Sequence, residues 1–177
     1  MFNKNIILVI MILCVLSFQI VFSQDLTFEE VQLIVQNINI DFSMFPTKNT
    51  WNNEYHVPII NTNFKREFQE LIIEESRQPP NFDGKYRIVE EKHSRIDSRF
   101  FIIIDLNTGL VYDRLYRINK GIKYSIESSM IIINPIESLD FESDPFNYYG
   151  SNQIIYTKWN GQNLDCLLAI NSYPNYF

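Results

Sequence analysis

From residue 85 to the C-terminus, short apolar runs alternate with turn residues, and this alternation limits the fold more than any other feature of the sequence. Asn107-Thr108-Gly109 and Asn160-Gly161 are typical of hairpin turns, because glycine supplies the positive φ that a tight reversal needs. Short runs bounded by turns indicate strands, and an unbroken apolar run predicts a central strand buried on both faces. The predicted strands are Tyr86–Glu90, Phe100–Ile104 (the unbroken run), Leu110–Tyr116, Met130–Ile133, Ile154–Trp159 and Leu164–Ile170. The sequence therefore predicts an antiparallel β-meander of about five to seven strands.

Two segments before the meander have the spacing of amphipathic helices. Residues 27–38 begin with a capping box of Thr27 and Glu30, followed on one face by Phe28, Val31, Ile34, Val35 and Ile38. Their many β-branched residues leave a strand as the alternative. Residues 39–58 are predicted to be irregular. The second helix, stopped by Pro79-Pro80, has an apolar face of Phe64, Phe68, Leu71 and Ile72. We therefore expect an α+β fold in which one or two N-terminal helices pack on the meander.

Residues 1–23 have the order of parts found in a cleavable secretory signal peptide. Lys4 precedes the apolar run Ile6–Leu16, and Val21-Phe22-Ser23 fits the small-residue cleavage site. An uncleaved membrane anchor is the alternative, since a spanning helix needs about 20 apolar residues. We expect cleavage, which leaves residues 24–177 as a single globular domain without a membrane span. Its expected location is periplasmic or secreted.

The charge balance and the cysteine content narrow the classes of function. The chain has a formal net charge of −6, whereas a nucleic-acid-binding domain usually presents a basic face. After cleavage Cys166 is the sole cysteine, so no internal disulfide is expected. Its position in an apolar strand, on one predicted face with Leu164, Leu168 and Ile170, favours a buried and inert thiol.

The sequence contains no pattern that points to a metal or to nucleophilic catalysis. His56, His93 and Cys166 are far apart and lack the spacing of zinc ligands. His93 and Asp97 are near each other in a polar loop, but such pairs are common by chance. There is no Gly-x-Ser-x-Gly elbow and no glycine-rich phosphate loop. We therefore predict no cofactor, no metal and no identifiable catalytic residue.

Four segments, in order, resemble a family of small exported bacterial proteins of no established function. Asn81–Val89 is similar to the family's Asn-Phe-x-Gly-x-Tyr-Arg-Ile-Val run, and Asp105–Val111 to its Asp-x-x-Thr-Gly-x-Val hairpin. Ser128–Asn134 resembles its Ser-x-Leu-Leu-Ile-x-Asn strand, and Tyr156–Gly161 its Tyr-x-x-Trp-x-Gly hairpin. Where the family has a Trp-Gly-Cys-Gly-x-x-Cys segment, this chain has Glu91–Asp97 and no cysteine. The resemblance implies a shared fold and an exported location, and no reaction.

Five residues are candidates for binding: Arg87, Asp105, Tyr148, Tyr149 and Trp159. The three aromatic residues would suit a ligand-facing patch, since Tyr and Trp are favoured at recognition surfaces. The alternative, which we favour, is that they cover sheet edges and the core. Arg87 lines a ligand groove or pairs with a neighbouring carboxylate. For Asp105 we favour a turn role, in which its side chain accepts backbone N–H bonds.

The sequence does not define an activity, and three functions are carried forward. We expect a non-catalytic envelope or secreted binding protein that engages a protein or a glycan, because a catalytic set is missing and residues 136–151 form an aromatic and polar loop. The first alternative is a hydrolase that uses carboxylates. The second is a structural or accessory envelope component without a soluble ligand.

Overall fold

A computed structural model describes residues 28–61, 63–92, 99–138 and 153–170. Within these ranges the regular structure consists of two α-helices, two short 3₁₀ helices (Phe42–Met44 and Ile136–Ser138) and seven strands. The helices are α1 (Phe28–Asn37) and α2 (Arg66–Glu75). The strands are β1 (Tyr86–Lys92), β2 (Arg99–Asp105), β3 (Leu110–Ile118), β4 (Ile122–Tyr124), β5 (Met130–Ile133), β6 (Ile154–Trp159) and β7 (Leu164–Ile170). Neither helix in these ranges has the length and apolar character needed to cross a membrane.

The seven strands form two antiparallel sheets in sequence order. Sheet I has the order β1-β2-β3, and sheet II has the order β4-β5-β6-β7. The predictions of an α+β fold and of an antiparallel meander are confirmed, with β2 as the central strand of sheet I. β4 is the strand that the sequence did not predict, because three residues are too few to display an alternating pattern.

Sheets I and II face each other across a shared apolar core. Successive residues of a strand point to opposite faces of its sheet, and each sheet turns one set of apolar residues inward. The buried inner residues are Phe82, Tyr86, Ile88, Phe101, Ile103 and Ile118 from sheet I and its entry turn, and Ile131, Ile133 and Trp159 from sheet II.

Each sheet is covered on its outer face by one helix. α2 packs Phe68 and Ile72 against sheet I, where its buried partners are Val89, Ile102, Ile104, Leu106 and Val111. α1 packs Val31 against sheet II, where its buried partners are Met130, Ile154, Tyr156 and Ile170. Ile34, predicted on the same face as Val31, is 36% exposed. The described elements thus form four layers, in the order α1, sheet II, sheet I and α2.

The prediction that Cys166 is buried is wrong, since Cys166 is exposed on β7, an edge strand of sheet II. A bulge between Tyr156 and Thr157 shifts the register in which β6 pairs with β7. Such a bulge adds one residue to a strand and interrupts its inward and outward alternation. Leu168 therefore packs toward α1, whereas Leu164 packs into the inner core. The residues expected on one face of β7 are divided between its two faces.

Two asparagine side chains take the place of missing strand partners. Asn81 accepts a bond from the N–H of Ile88 at 2.8 Å and donates to the carbonyl of the same residue at 3.1 Å. Asn134 accepts from the N–H groups of Asn119 and Lys120 at 3.1 and 3.0 Å, where the chain passes from sheet I to sheet II. Both asparagines satisfy backbone groups that would otherwise lack a partner.

Candidate functional site

A groove of about 740 Å³ lies where three separate segments meet. These are residues 44–49 (the wall segment), the turn at residues 83–86 and the hairpin at residues 158–161, with Ser129 beside them. The buried residues of the lining form the floor: Asp83, Tyr86, Ser129 and Trp159. The exposed residues form the rim: Met44, Pro46, Lys48, Lys158 and Asn160. Its volume lies within the range of about 300–1,000 Å³ that is usual for ligand pockets.

Asp83 is the carboxylate of the floor, and it is 3% exposed. Its φ is 40°, in the left-handed region that Asp and Asn tolerate better than most residues. Oδ2 accepts a hydrogen bond from the side-chain amide of Asn49 at 2.8 Å. Oδ1 is buried and has no hydrogen-bond partner among the described residues. A buried acceptor without a partner costs about 1–3 kcal/mol, and more if it is charged. Asp83 is therefore unfavourable for stability at its position.

The wall segment is held against the turn that carries Asp83. Gly84 has a φ of 72°, and a Cβ atom at this position would overlap the backbone oxygen of Asn49. Only glycine lets two backbones approach so closely. On its other side the wall segment is fixed by the Thr47 N–H, which donates to the Glu127 carbonyl at 2.8 Å. The groove thus depends on contacts between parts of the chain that are remote in sequence.

The surroundings of Asp83 raise the pKa of its carboxyl above the ordinary value. Burial raises the pKa of this carboxyl because desolvation disfavours the charged state. The neighbouring Thr47 side chain, the hydrogen bond from Asn49 and the charges of Lys85 and Lys158 oppose the rise in pKa without cancelling it. The Asp83 carboxyl therefore takes up a proton more readily than an exposed aspartate does.

Trp159 supplies the second polar atom of the floor. The side chain is 2% exposed, and its rings meet those of Tyr86 and Tyr112 edge-on, with centroids 5.7 and 4.9 Å away. Its Nε1 is buried and finds no acceptor in the part of the chain that the structure describes. Buried tryptophans usually do have such a partner. The floor thus contains one unpaired donor and one unpaired acceptor.

Lys48 and Lys158 bring positive charge to the rim, and both are exposed. The Lys158 ammonium lies 5.8 Å from the centroid of the Phe45 ring. Within the described ranges, the lining contains one carboxyl group, that of Asp83. The rim is therefore cationic although the whole chain carries a net charge of −6.

Arg87, a predicted binding candidate, belongs to the outer face of sheet I and is not part of the groove lining. Its Nε donates to Glu75 Oε2 at 2.7 Å, and one terminal nitrogen donates to the Pro79 carbonyl at 2.6 Å. These bonds join β1 to the C-terminal end of α2. Arg87 thus pairs with a neighbouring carboxylate, one of the two roles considered from sequence, and it also lines a second, smaller pocket of about 230 Å³ beside Glu75.

Asp105 has the turn role that we favoured from the sequence. Its Oδ1 accepts from the Asn107 N–H at 2.9 Å, and its Oδ2 accepts from the Lys85 ammonium at 2.7 Å. The same ammonium lies 4.9 Å from the centroid of the Tyr86 ring, on the groove floor. Asp105 does not line the groove, and it is linked to the groove floor only through Lys85 and Tyr86.

Trp159 is the one described binding candidate that lines the groove. The predictions for Tyr148, Tyr149, His93 and Asp97 lie outside the described residues, as does the proposed signal peptide. Sequence reasoning missed Asp83, Lys48 and Lys158. An Asp before a Gly predicts only a turn. The wall segment that buries this Asp is remote in sequence, so no local pattern could have identified it.

The groove is suited to recognition by hydrogen bonds and charge. Enzymes that hydrolyse glycosides generally use two carboxyl groups about 5–9.5 Å apart, and the described lining holds one. No group of three or more His, Cys, Asp or Glu side chains in the described ranges is placed to hold a metal ion. An acceptor, a donor and two cations are the polar groups that the groove presents.

Replacing Asp83 with asparagine is expected to raise the free energy of unfolding at pH 7 by about 1 kcal/mol. Asparagine can still accept from Asn49, it tolerates the positive φ, and it has no charge for burial to disfavour. Because the folded-state pKa of Asp83 is raised, its carboxyl stabilises the folded state fully only below its unfolded pKa of about 3.9. That contribution is lost as pH rises through the folded pKa.

The gain from Asp83→Asn should therefore grow as the pH is raised from about 4 toward neutrality. Urea unfolding of the two proteins across this pH range measures the difference. Asp113→Asn is the matched control, because Asp113 is an exposed carboxylate on β3. A variant that is less stable than the parent protein at pH 7 would show that the carboxylate stabilises the turn.

No protein-family model matches the sequence, and neither a curated protein nor a solved structure matches the chain.

Proposed function

We propose that the chain is an exported, non-catalytic binding protein whose groove holds a polar ligand, either a glycan or a segment of an envelope or extracellular protein. The observation that carries the proposal is the unpartnered Oδ1 of buried Asp83. An asparagine would occupy the same left-handed turn position without a charge. A charged residue where a neutral one would be more stable is typical of functional sites, which trade stability for function.

Binding accounts for the groove better than carboxylate-dependent hydrolysis or a purely structural role. Acid and base chemistry on a glycoside needs a second carboxyl, and Asp83 has none beside it in the described lining. In a purely structural component, the unpaired donor of Trp159 and the unpaired acceptor of Asp83 would lower the stability of the fold and serve no purpose. A ligand that pairs with both atoms removes that penalty.

The export half of the proposal is supported by the sequence. Residues 1–23 have the order of a signal peptide, and we propose that they are removed. The four segments that resemble the family of small exported bacterial proteins support the same destination, and we propose that the chain belongs with that family. In a periplasmic or secreted location, glycans and envelope proteins are the accessible partners.

The proposal is tested by titrating the exported protein with neutral and acidic oligosaccharides and with envelope-derived peptides. Intact mass first records whether residues 1–23 have been removed. Tryptophan fluorescence then follows occupancy, because Trp159 lines the groove and Trp51 is the one other tryptophan. At least one class of ligand should bind, and Asp83→Asn should weaken that binding about tenfold or more, since a charge-assisted hydrogen bond is lost.

Asp113→Asn should leave the affinity unchanged, since Asp113 lies outside the groove lining. If no class of ligand binds, or if every ligand binds equally well to Asp83→Asn, the groove is not a binding site and the proposed function is wrong.

A further inference from the structure

We propose that the ligand of the groove is an acidic glycan, a saccharide whose hydroxyl groups pair with the floor and whose carboxylate or sulfate lies against Lys48 and Lys158. This inference rests on the proposed function and adds the chemical class of the ligand.

The floor selects for a hydroxyl group. Asp83 Oδ1 needs a donor, and Trp159 Nε1 needs an acceptor. An ammonium group can only donate, and a carboxylate can only accept. A hydroxyl does both, so a polyhydroxylated ligand satisfies the two atoms with one kind of group. Both atoms are buried in the floor, so the ligand hydroxyl pairs with them through a bridging water or after a small shift of the groove lining.

The rim selects for negative charge. No carboxylate of the described ranges forms an ion pair with Lys48 or Lys158, whereas Lys85 and Lys123 each reach a carboxylate at 2.7 Å. The Lys48 and Lys158 cations carry charge opposite to the net charge of −6 of the chain, and burial disfavours the charge of Asp83, the one carboxyl of the described lining. A ligand with an anionic substituent gains charge-assisted hydrogen bonds at this rim.

A peptide fits the two sets of groups less well than a saccharide does. Backbone amides offer a donor and an acceptor on separate atoms with fixed geometry, and an acidic peptide would place its carboxylates near Asp83 as well as near the lysines. In a sugar ring, neighbouring hydroxyls and one acidic substituent are held rigidly on a single scaffold, which lowers the entropic cost of binding.

The test uses calorimetric titration of the exported protein with three probes: trigalacturonate, a hyaluronan tetrasaccharide and a heparin tetrasaccharide. Methyl-esterified trigalacturonate is the matched neutral probe, since it keeps the skeleton and loses the charges. At least one acidic probe should bind. Its affinity should fall about tenfold or more in the Lys48→Gln, Lys158→Gln double variant and on raising the salt concentration from 50 to 500 mM.

Lys123→Gln is the control for loss of a surface charge, because Lys123 pairs with Glu137 outside the groove. Trigalacturonate, if it binds, should bind more tightly than its methyl ester. Binding of neutral glycans or peptides in preference to every acidic probe would overturn the acidic-glycan inference and, if Asp83→Asn weakened it, would leave the proposed function standing. Failure of all neutral, acidic and peptide ligands would overturn both.

Discussion

Gly84→Ala is expected to destabilise the folded protein by about 3 kcal/mol or more. The backbone cost of placing alanine at a φ of 72° is one part, typically about 1–2 kcal/mol. The larger part is steric, because the new methyl group would overlap the backbone oxygen of Asn49. The wall segment would have to move away, which breaks the bond from Asn49 to Asp83. Urea unfolding at pH 7 measures the loss.

Gly161→Ala separates the two parts of that cost. Gly161 also has a positive φ, of 96°, but a Cβ atom there would meet its nearest neighbour, the Tyr86 hydroxyl, at 3.9 Å. This variant should lose only the backbone term, about 1–2 kcal/mol. Equal losses in the two glycine variants would mean that the wall segment yields freely and does not depend on close contact with Gly84.

Trp159→Ala is expected to cost about 3–5 kcal/mol of folding free energy, the usual range for removing a large buried aromatic side chain. Trp159 belongs to sheet II, and its rings pack against Tyr86 and Tyr112 of sheet I. Its removal leaves a cavity between the two sheets, where neighbours on regular strands cannot easily collapse. Equilibrium unfolding in urea gives the value, and a loss below about 1.5 kcal/mol would mean that the cavity is filled by rearrangement.

Trp159→Phe distinguishes packing from recognition. Phenylalanine keeps an aromatic ring between the sheets and removes the Nε1 donor, so the stability loss should be much smaller than for alanine. The affinity for the groove ligand should still fall, because the floor then lacks its hydrogen-bond donor. Trp51→Phe is the control: its Nε1 is also buried without a partner among the described residues, but Trp51 lies outside the groove lining. An unchanged affinity in Trp159→Phe would show that the indole N–H does not bind the ligand.

The layers of the fold were predictable because their signals are local. The unbroken run Phe100–Ile104 identified the central strand of sheet I, and Asn160-Gly161 identified the hairpin between β6 and β7. The exposure of Cys166 was not predictable, since it depends on the position of β7 at the edge of sheet II, which the pairing between strands decides. The division of one meander into two facing sheets also depends on long-range contacts, among them the bonds that Asn134 makes to the backbone of residues 119 and 120.

The groove was predictable only in part, for the same reason. Trp159 could be named because tryptophan is rare and its strand was recognised. Asp83 is a candidate site residue only because residues 44–49 bury it, and that segment has no periodicity in the sequence. Arg87 had the residue type of a ligand contact, but the partner that decides its role, Glu75, lies on a helix in another layer.

The walls of the groove come from three segments that are far apart along the chain, so the groove exists only while these segments are folded together. By thermodynamic linkage, any ligand that occupies it must shift the folding equilibrium toward the native state. A free ligand concentration one hundred times the dissociation constant adds about 2.7 kcal/mol to the unfolding free energy. A rise in the melting temperature of the protein therefore reports that the groove is occupied, without any label.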